Sequence, residues 1–230
     1  MKIHYIMHAD FENIGVIGEW AQEKGHTITN TKPYKGESLP SVHNFNFLII
    51  LGGPQSPRDV VECPYLLDEI ALIRQAIEHE KIVLGFCLGA QLISEALGGH
   101  TQRSPEKEIG IFPIRLTGAG QKDYLFSGFP EILDVIHWHN DMPEVPKGGT
   151  LLASSEGCPV QGFKYSDKVY GFQFHMEITK EGISELIAQC PNDIIPSRFT
   201  QSVAELKAAN LGEIHEGMKV VLDRLIKERL

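Results

Sequence analysis

Alternating strand and helix signals predict an α/β protein with a mostly parallel sheet and helices on both faces. Three observations carry that prediction. Short apolar runs that suit buried strands recur at Lys2–Met7, Phe45–Leu51 and Ile82–Phe86. Stretches with apolar residues at helical spacing lie between and after them. Glycines punctuate the ends, at Gly25, Gly52-Gly53 and Gly98-Gly99.

The elements follow in order. KIHYIM, Lys2 to Met7, reads as a first buried strand. Phe11 to Lys24 follows as a helix, with Phe11, Ile14, Ile17 and Ala21 on one face, Asp10 as N-cap and Gly25 as stop. His26 to Thr31 is a short strand, and Lys32 to Asn44 a polar loop with Pro33 and Pro40. FNFLIIL, Phe45 to Leu51, is a third strand that ends in Gly52-Gly53-Pro54. Tyr65 to Glu80 is an amphipathic helix carrying Leu66, Leu67, Ile70, Ile73 and Ile77. The strand Ile82 to Phe86 meets Cys87, and a helix runs from there to Gly98-Gly99. The second half is richer in extended segments: Ile109–Leu116, Val135–Trp138, Leu151–Ser154, Val160–Tyr165 and Val169–Phe174. Ser166-Asp167-Lys168 turns the last two into a hairpin. Helices return at Lys180–Gln189, Ser202–Ala209 and Glu213–Glu228, with a Pro191/Pro196 loop between the first two.

Composition excludes several function classes. The 230 residues suit one large domain with a sizeable core. A net charge of −9 argues against a nucleic-acid backbone or an anionic membrane as main partner. No apolar run approaches the roughly 18 residues that span a bilayer, and MKIHYIMHADFEN lacks the pattern of a signal peptide. The four cysteines, Cys63, Cys87, Cys158 and Cys190, form no C-x-x-C pair and point to reduced thiols in a cytoplasm.

Gly85-Phe86-Cys87-Leu88-Gly89 is the first chemical signal. A sharp strand-to-helix turn is crowded, and small residues at minus two and plus two relieve the crowding, as in the G-x-S-x-G nucleophile elbow. A thiol at that apex sits at a helix N-terminus, where free N–H groups favour a thiolate. A buried structural cysteine is the plainer alternative. A nucleophile needs a base and a group that orients it. Among ten histidines, His137-x-His139 and His175 stand out. On a strand, Gln173, His175 and Glu177 share one face, with residues two apart separated by about 7 Å. Glu177 can then fix the imidazole while the other ring nitrogen faces Cys87. Ligands of parallel sheets bind at the carboxyl ends of the strands, so Gly52-Gly53 and Cys87 share a crevice. Gly53 and Leu88 can each offer a backbone N–H to a developing oxyanion, worth about 3–4 kcal/mol per donor.

These segments together resemble the class I (triad type) glutamine amidotransferases. The carriers are LGGP at 51–54, GFCLGAQ at 85–91, PEKEIGIFPI at 105–114, WHND at 138–141 and FQFHME at 172–177. The chain is especially similar to stand-alone members related to the amidotransferase part of GMP synthase. The resemblance implies a flavodoxin-like three-layer α/β/α sandwich, with a mostly parallel central sheet and an added antiparallel hairpin. It implies one domain over 1–230, with its motifs in 45–180 and helices in 180–230. It also implies Cys87 as nucleophile, His175 as base, Glu177 as orienting acid, Gly53 and Leu88 as oxyanion hole, and Gln91 as a contact to the substrate's amino acid end. Gly52, His139, Asn140 and Asp141 line the glutamine pocket in that reading, with Asp141 toward the substrate ammonium. Relatives often carry His-Gly-Asp where this chain has His139-Asn140-Asp141, which alters the backbone at Asn140.

His137-x-His139-x-Asp141 also has a metal-ligand spacing. The histidine that would follow in metallo-β-lactamase-like hydrolases is Met142 here, and that reading leaves Cys87 and His175 unexplained. The expected reaction therefore uses no metal and no organic cofactor: cleavage of a γ-glutamyl amide through a cysteine thioester, releasing glutamate plus ammonia from glutamine. Two other readings stand beside it, a γ-glutamyl peptidase acting on small peptides and a non-catalytic relative that binds a ligand or partner. A separate synthetase subunit is the expected protein partner for an amidotransferase.

Overall fold

Each half of the chain builds its own half of one sheet. The first half runs β1 (Lys2–Ile6), α1 (Val16–Glu23), β2 (Thr27–Thr31), β3 (Phe47–Ile50), α2 (Tyr65–Glu78), β4 (Ile82–Phe86) and α3 (Leu88–Ala96). The second runs β5 (Thr101–Leu116), β6 (Ile132–Pro143), β7 (Thr150–Ser154), β8 (Gly162–Ser166), β9 (Val169–Phe172), α4 (Lys180–Gln189), α5 (Val203–Ala208) and α6 (Gly212–Lys227). This computed structural model describes residues 1–227; Glu228, the last residue of the expected C-terminal helix, lies outside the described residues. The nine strands lie in the order β2-β1-β3-β4-β9-β8-β7-β5-β6. The pairings from β2 through β9 are parallel, and those from β9 through β6 are antiparallel. The expected hairpin is β8–β9, and the antiparallel part continues through β7, β5 and β6. No helix among the described residues is long and apolar enough to cross a membrane.

The alternation along β3 and β4 sorts two cores, because successive side chains of a strand face opposite ways. Phe47, Ile49, Leu84 and Phe86 pack with Val16, Ile17 and Trp20 of α1 and Met218, Val221 and Leu222 of α6. Leu48, Ile50 and Val83 pack with Leu66, Ile73 and Ala76 of α2 and Leu88, Leu92 and Ile93 of α3. Strands buried on both faces read as continuous apolar runs, which is why the parallel half is plain in the sequence.

Several expected boundaries move. Helix α1 starts at Val16, and its N-cap is Gly15 at φ 53°. Asp10 instead binds Lys32 and Lys35 across an exposed loop. The late start has a packing cause: the Val16 N–H donates to the Glu177 carbonyl (3.0 Å), and a Cβ at Gly15 would lie 1.9 Å from that oxygen. Strand β5 begins at Thr101, eight residues before the expected Ile109. Its first part carries Pro105 and shifts register between Arg103 and Glu108, so it lacks the two-residue alternation that marks a strand. Strand β9 ends at Phe172, two residues before the expected Phe174, and the chain then bends at Gln173-Phe174 and changes partners. Gln173 bonds to Gln161, and His175 makes an isolated bridge with Ile136 of β6.

The join of β4 to α3 is packed without room for a side chain. A Cβ at Gly89 would lie 2.1 Å from the Ile50 carbonyl oxygen, and one at Gly85 would lie 2.4 Å from the Gly89 backbone. Gly89→Ala is therefore expected to destabilise the protein by about 1–3 kcal/mol through overpacking. Gly118→Ala meets nothing within 4 Å and serves as the control, with an effect within about 0.5 kcal/mol. Urea unfolding of both variants measures this; equal midpoints would show that the elbow tolerates a methyl group.

Candidate active site

Cys87 is the N-cap of α3 and sits at φ 50°, one of two non-glycine residues with positive φ among the described residues. That conformation is strained for an L-residue. It turns the chain from strand to helix within one residue and leaves the thiol 8% exposed, at the wall of a cleft of about 380 Å³. Its Sγ donates weakly to the Trp138 carbonyl at 3.8 Å.

His175 comes to the same wall from the extension of β9, the strand beside β4. Its Nδ1 pairs with Glu177 Oε1 at 2.6 Å, and Glu177 Oε2 accepts from the Met176 N–H at 3.0 Å. Burial on its own would lower the His175 pKa. The Glu177 charge, the Cys87 thiol beside the ring and the Glu177 hydrogen bond outweigh it and hold the value well above the usual histidine range. The three residues expected from the sequence are thus together, the carboxylate on one ring nitrogen and the thiol beside the imidazole.

Gly53 and Leu88 border the cleft as well. Neither backbone N–H has a hydrogen-bond partner among the described residues. Gly52 is glycine for want of room: a Cβ there would lie 2.3 Å from Glu12 Oε2 and 3.2 Å from His175 Cε1. Gln91 lines the cleft, and its Nε2 donates to Gln173 Oε1 at 3.0 Å.

The 139–141 segment takes three different settings. Asp141 is held by Arg58 (3.0 Å), Arg103 (3.1 Å) and Ser56 (3.1 Å), so its charge is already matched by two guanidinium groups. Asn140, with its amide oxygen toward the guanidinium, accepts from Arg103 at 2.8 Å. His139 turns inward to Glu108, whose Oε2 is 3.1 Å from its Nε2.

Glu108, His137 and His139 place a carboxylate oxygen and two ring nitrogens within 4.8 Å of one another, a grouping able to hold a metal ion; Asp141 is not part of it. The amide nitrogen of Gln161 reaches into the same point. It lies 2.6 Å from Glu108 Oε2 and 3.2 Å from each ring nitrogen. His137 Nε2 donates to the Phe112 carbonyl, which leaves Nδ1 as an acceptor for that amide. An amide NH₂ group offers no lone pair to a cation; its two hydrogens serve Glu108 and His137, and His139 Nε2 lies 3.1 Å from Glu108 Oε2, where its own N–H can donate. The donor set therefore fits a hydrogen-bonded cluster better than an ion site.

Four further residues of the cleft belong to no motif read in the sequence, Glu12, Arg58, Arg103 and Asp193, and two more, Lys107 and Trp138, lie within PEKEIGIFPI and WHND without a role read there. Lys107 Nζ and Trp138 Nε1 both reach Asp193, at 2.7 and 3.2 Å, which fixes the 191–193 turn as part of the wall. Burial is the main cause that raises the Glu12 carboxyl to about 7; His175 and His8 oppose the shift, and Glu177 adds to it.

Comparison with known proteins bears on the family and the fold. The family model "Glutamine amidotransferase class-I" matches residues 20–190. The chain is 45% identical over 232 residues to YfeJ of Salmonella typhimurium, named as a glutamine amidotransferase-like protein, covering 98% of this chain and 97% of that one. It is 31% identical over 168 residues to the glutamine-hydrolyzing GMP synthase of Thermosipho africanus, covering 69% of this chain and 31% of that one. The chain thus spans about a third of the length of that relative. The crystal structure of SMU.1228c superposes with a TM-score of 0.94 at 41% identity, covering 98% of this chain and 99% of that one. A matching family model over most of the chain, and a relative of nearly the same extent, show that the chain belongs to the class I glutamine amidotransferase family.

Proposed function

We propose that this chain hydrolyses the γ-glutamyl amide of glutamine through a thioester on Cys87. The observation that carries the reading is the elbow thiol beside the His175–Glu177 pair, with two unpartnered N–H groups at the same wall. His175 takes the thiol proton, and the sulfur attacks the amide carbon. The N–H groups of Gly53 and Leu88 receive the oxyanion as the tetrahedral centre forms. His175 then protonates the departing nitrogen, and ammonia leaves. Water, deprotonated by His175, attacks the γ-glutamyl thioester and frees glutamate. Glu177 stabilises the imidazolium and holds its orientation. The ammonia acceptor would belong to a separate synthetase chain.

A γ-glutamyl dipeptide is the second reading. Arg58, Arg103 and Lys107 at the rim support it: a dipeptide brings a second carboxylate that glutamine lacks, able to exchange with the pairings these cations make to Asp141 and Asp193. A panel of glutamine and γ-glutamyl dipeptides on the purified chain separates the two. Turnover of glutamine is expected, strengthened by a synthetase partner; turnover of dipeptides alone would move the assignment to a peptidase. Cys87→Ala is expected to lower glutamate release by about 10⁴-fold or more, and full activity in that variant would end the thiol mechanism.

Glu177→Gln is expected to lower turnover by about 10²-fold or more. Its effect on stability has a definite pH sign. His175 has a raised pKa in the folded protein, so its pairing with Glu177 stabilises fully below about pH 6.5, the unfolded value. That contribution fades as pH rises through the folded pKa. The stability gap between the native protein and Glu177→Gln should therefore be widest below about pH 6.5 and shrink at alkaline pH, as read by urea unfolding across pH. A gap that widens with pH would contradict the imidazolium pairing.

A further inference from the structure

A second buried histidine–glutamate pair lies under the Gly52–Gly53 turn. His8, just past β1, places Nδ1 3.0 Å from the Gly52 carbonyl oxygen and Nε2 2.8 Å from Glu69 Oε2 on α2. Both side chains are fully buried. A carbonyl only accepts, so Nδ1 must carry a proton and donate it. The Gly52–Gly53 peptide is trans, so its carbonyl and its N–H point in opposite directions. Among the described residues, the Gly52 carbonyl accepts from His8 alone, and the Gly53 N–H has no partner. Glycine on both sides of a peptide leaves its plane free to turn over, and here one hydrogen bond from His8 sets it.

The geometry points to His8, anchored by Glu69, as a positioning residue that locks the Gly52–Gly53 peptide with its N–H toward Cys87. The claim rests on the proposed thioester reaction, in which that N–H receives the oxyanion. The surroundings are built to the same end. A Cβ at Gly53 would lie 2.5 Å from His8 Cβ and 2.9 Å from Leu88 Cδ2, so the turn is pressed between His8 and the first residue of α3. Gln55 Nε2 donates to the His8 carbonyl at 3.1 Å, closing the loop onto β1 from its other end. Burial alone would strip His8 of its second proton. The charge and hydrogen bond of Glu69, the Gly52 carbonyl and Glu12 outweigh it and raise the His8 pKa, which keeps the donating proton in place.

Two variants separate positioning from bulk packing. His8→Phe removes both ring donors. His8→Asn returns an N–H donor at the place of Nδ1. On glutamine or a γ-glutamyl dipeptide, His8→Phe is expected to lower kcat by about 10²-fold, the loss that follows removal of one oxyanion donor, with KM little changed. His8→Asn should recover most of it, and the rate of Cys87 alkylation by iodoacetamide should stay at the native value in both. A native kcat in His8→Phe, or a loss that Asn does not restore, would overturn the proposal. A second readout does not need turnover. Glycine labelled with ¹³C′ and ¹⁵N isolates the Gly–Gly amides, which occur only at 52–53, 98–99 and 148–149. The Gly53 amide should give one sharp signal in the native protein and in His8→Asn, and a broadened or doubled one in His8→Phe. An unchanged single signal in His8→Phe overturns the proposal whether or not the native chain turns over any substrate. Absence of turnover in the native chain would instead count against the reaction.

Discussion

The first turn of α3 lies so close to β3 and β4 that no side chain fits between them at Gly85 or Gly89. That contact sets the rest of the site. It holds the helix N-terminus near the sheet, puts Cys87 into a left-handed conformation, and lifts the thiol to the carboxyl end of β4. It leaves the Leu88 N–H without an intrahelical partner, as the first residues of any helix are left. The strain at Cys87 persists because packing on both sides over-determines it: Leu88, Leu92 and Ile93 are completely buried against one face of the sheet.

Around this point the protein places histidines and carboxylates in pairs. His175 is tied to Glu177, His8 to Glu69 and His139 to Glu108, every one of them buried. His175 and His139 line the crevice, and the His8 pair lies beneath it, under the Gly52–Gly53 turn. A buried ion pair contributes little net stability, whereas removing one partner leaves a charge stranded at a cost of about 3–5 kcal/mol. What such pairs supply is geometry, since an imidazole held at one nitrogen presents the other in a fixed direction. Glu12 differs. Its carboxyl lies by Gly52 and His175 without a hydrogen-bond partner among the described residues, and burial raises its pKa to about 7.

Much of this was legible in the residues. The central parallel strands β3 and β4 are apolar on both faces, so Phe45–Leu51 and Ile82–Phe86 stand out without any partner information. The Gly-x-Cys-x-Gly spacing records a steric demand that is local, and local demands survive in sequence. Three features were not legible, for three reasons. Thr101–Glu108 is a strand interrupted by a bulge at its proline, so its alternation is broken. Helix α1 starts late because Gly15 packs on Glu177, a contact between residues far apart in the chain. Glu12, Arg58 and Asp193 come from loops, and His8 meets Glu69 across the sheet. Nothing periodic announces any of them. The reading of Glu177 on the His175 face of a strand reached the right contact by a wrong premise: residues 173–177 bend, and only His175 bridges to β6.

The adjacency of β4 and β9 has one more consequence. These neighbours are joined through the whole antiparallel half, since β5, β6, β7 and β8 all lie between them in the chain. Their pairing is a long-range contact, and such contacts form late because a large loop must close first. During synthesis the elbow can assemble as soon as α3 has formed, but its thiol has no imidazole beside it until the chain beyond Glu177 has emerged and docked. The order of the strands thus keeps the Cys87 thiol apart from the His175 imidazole in a half-made protein, and makes their meeting coincide with completion of the sheet.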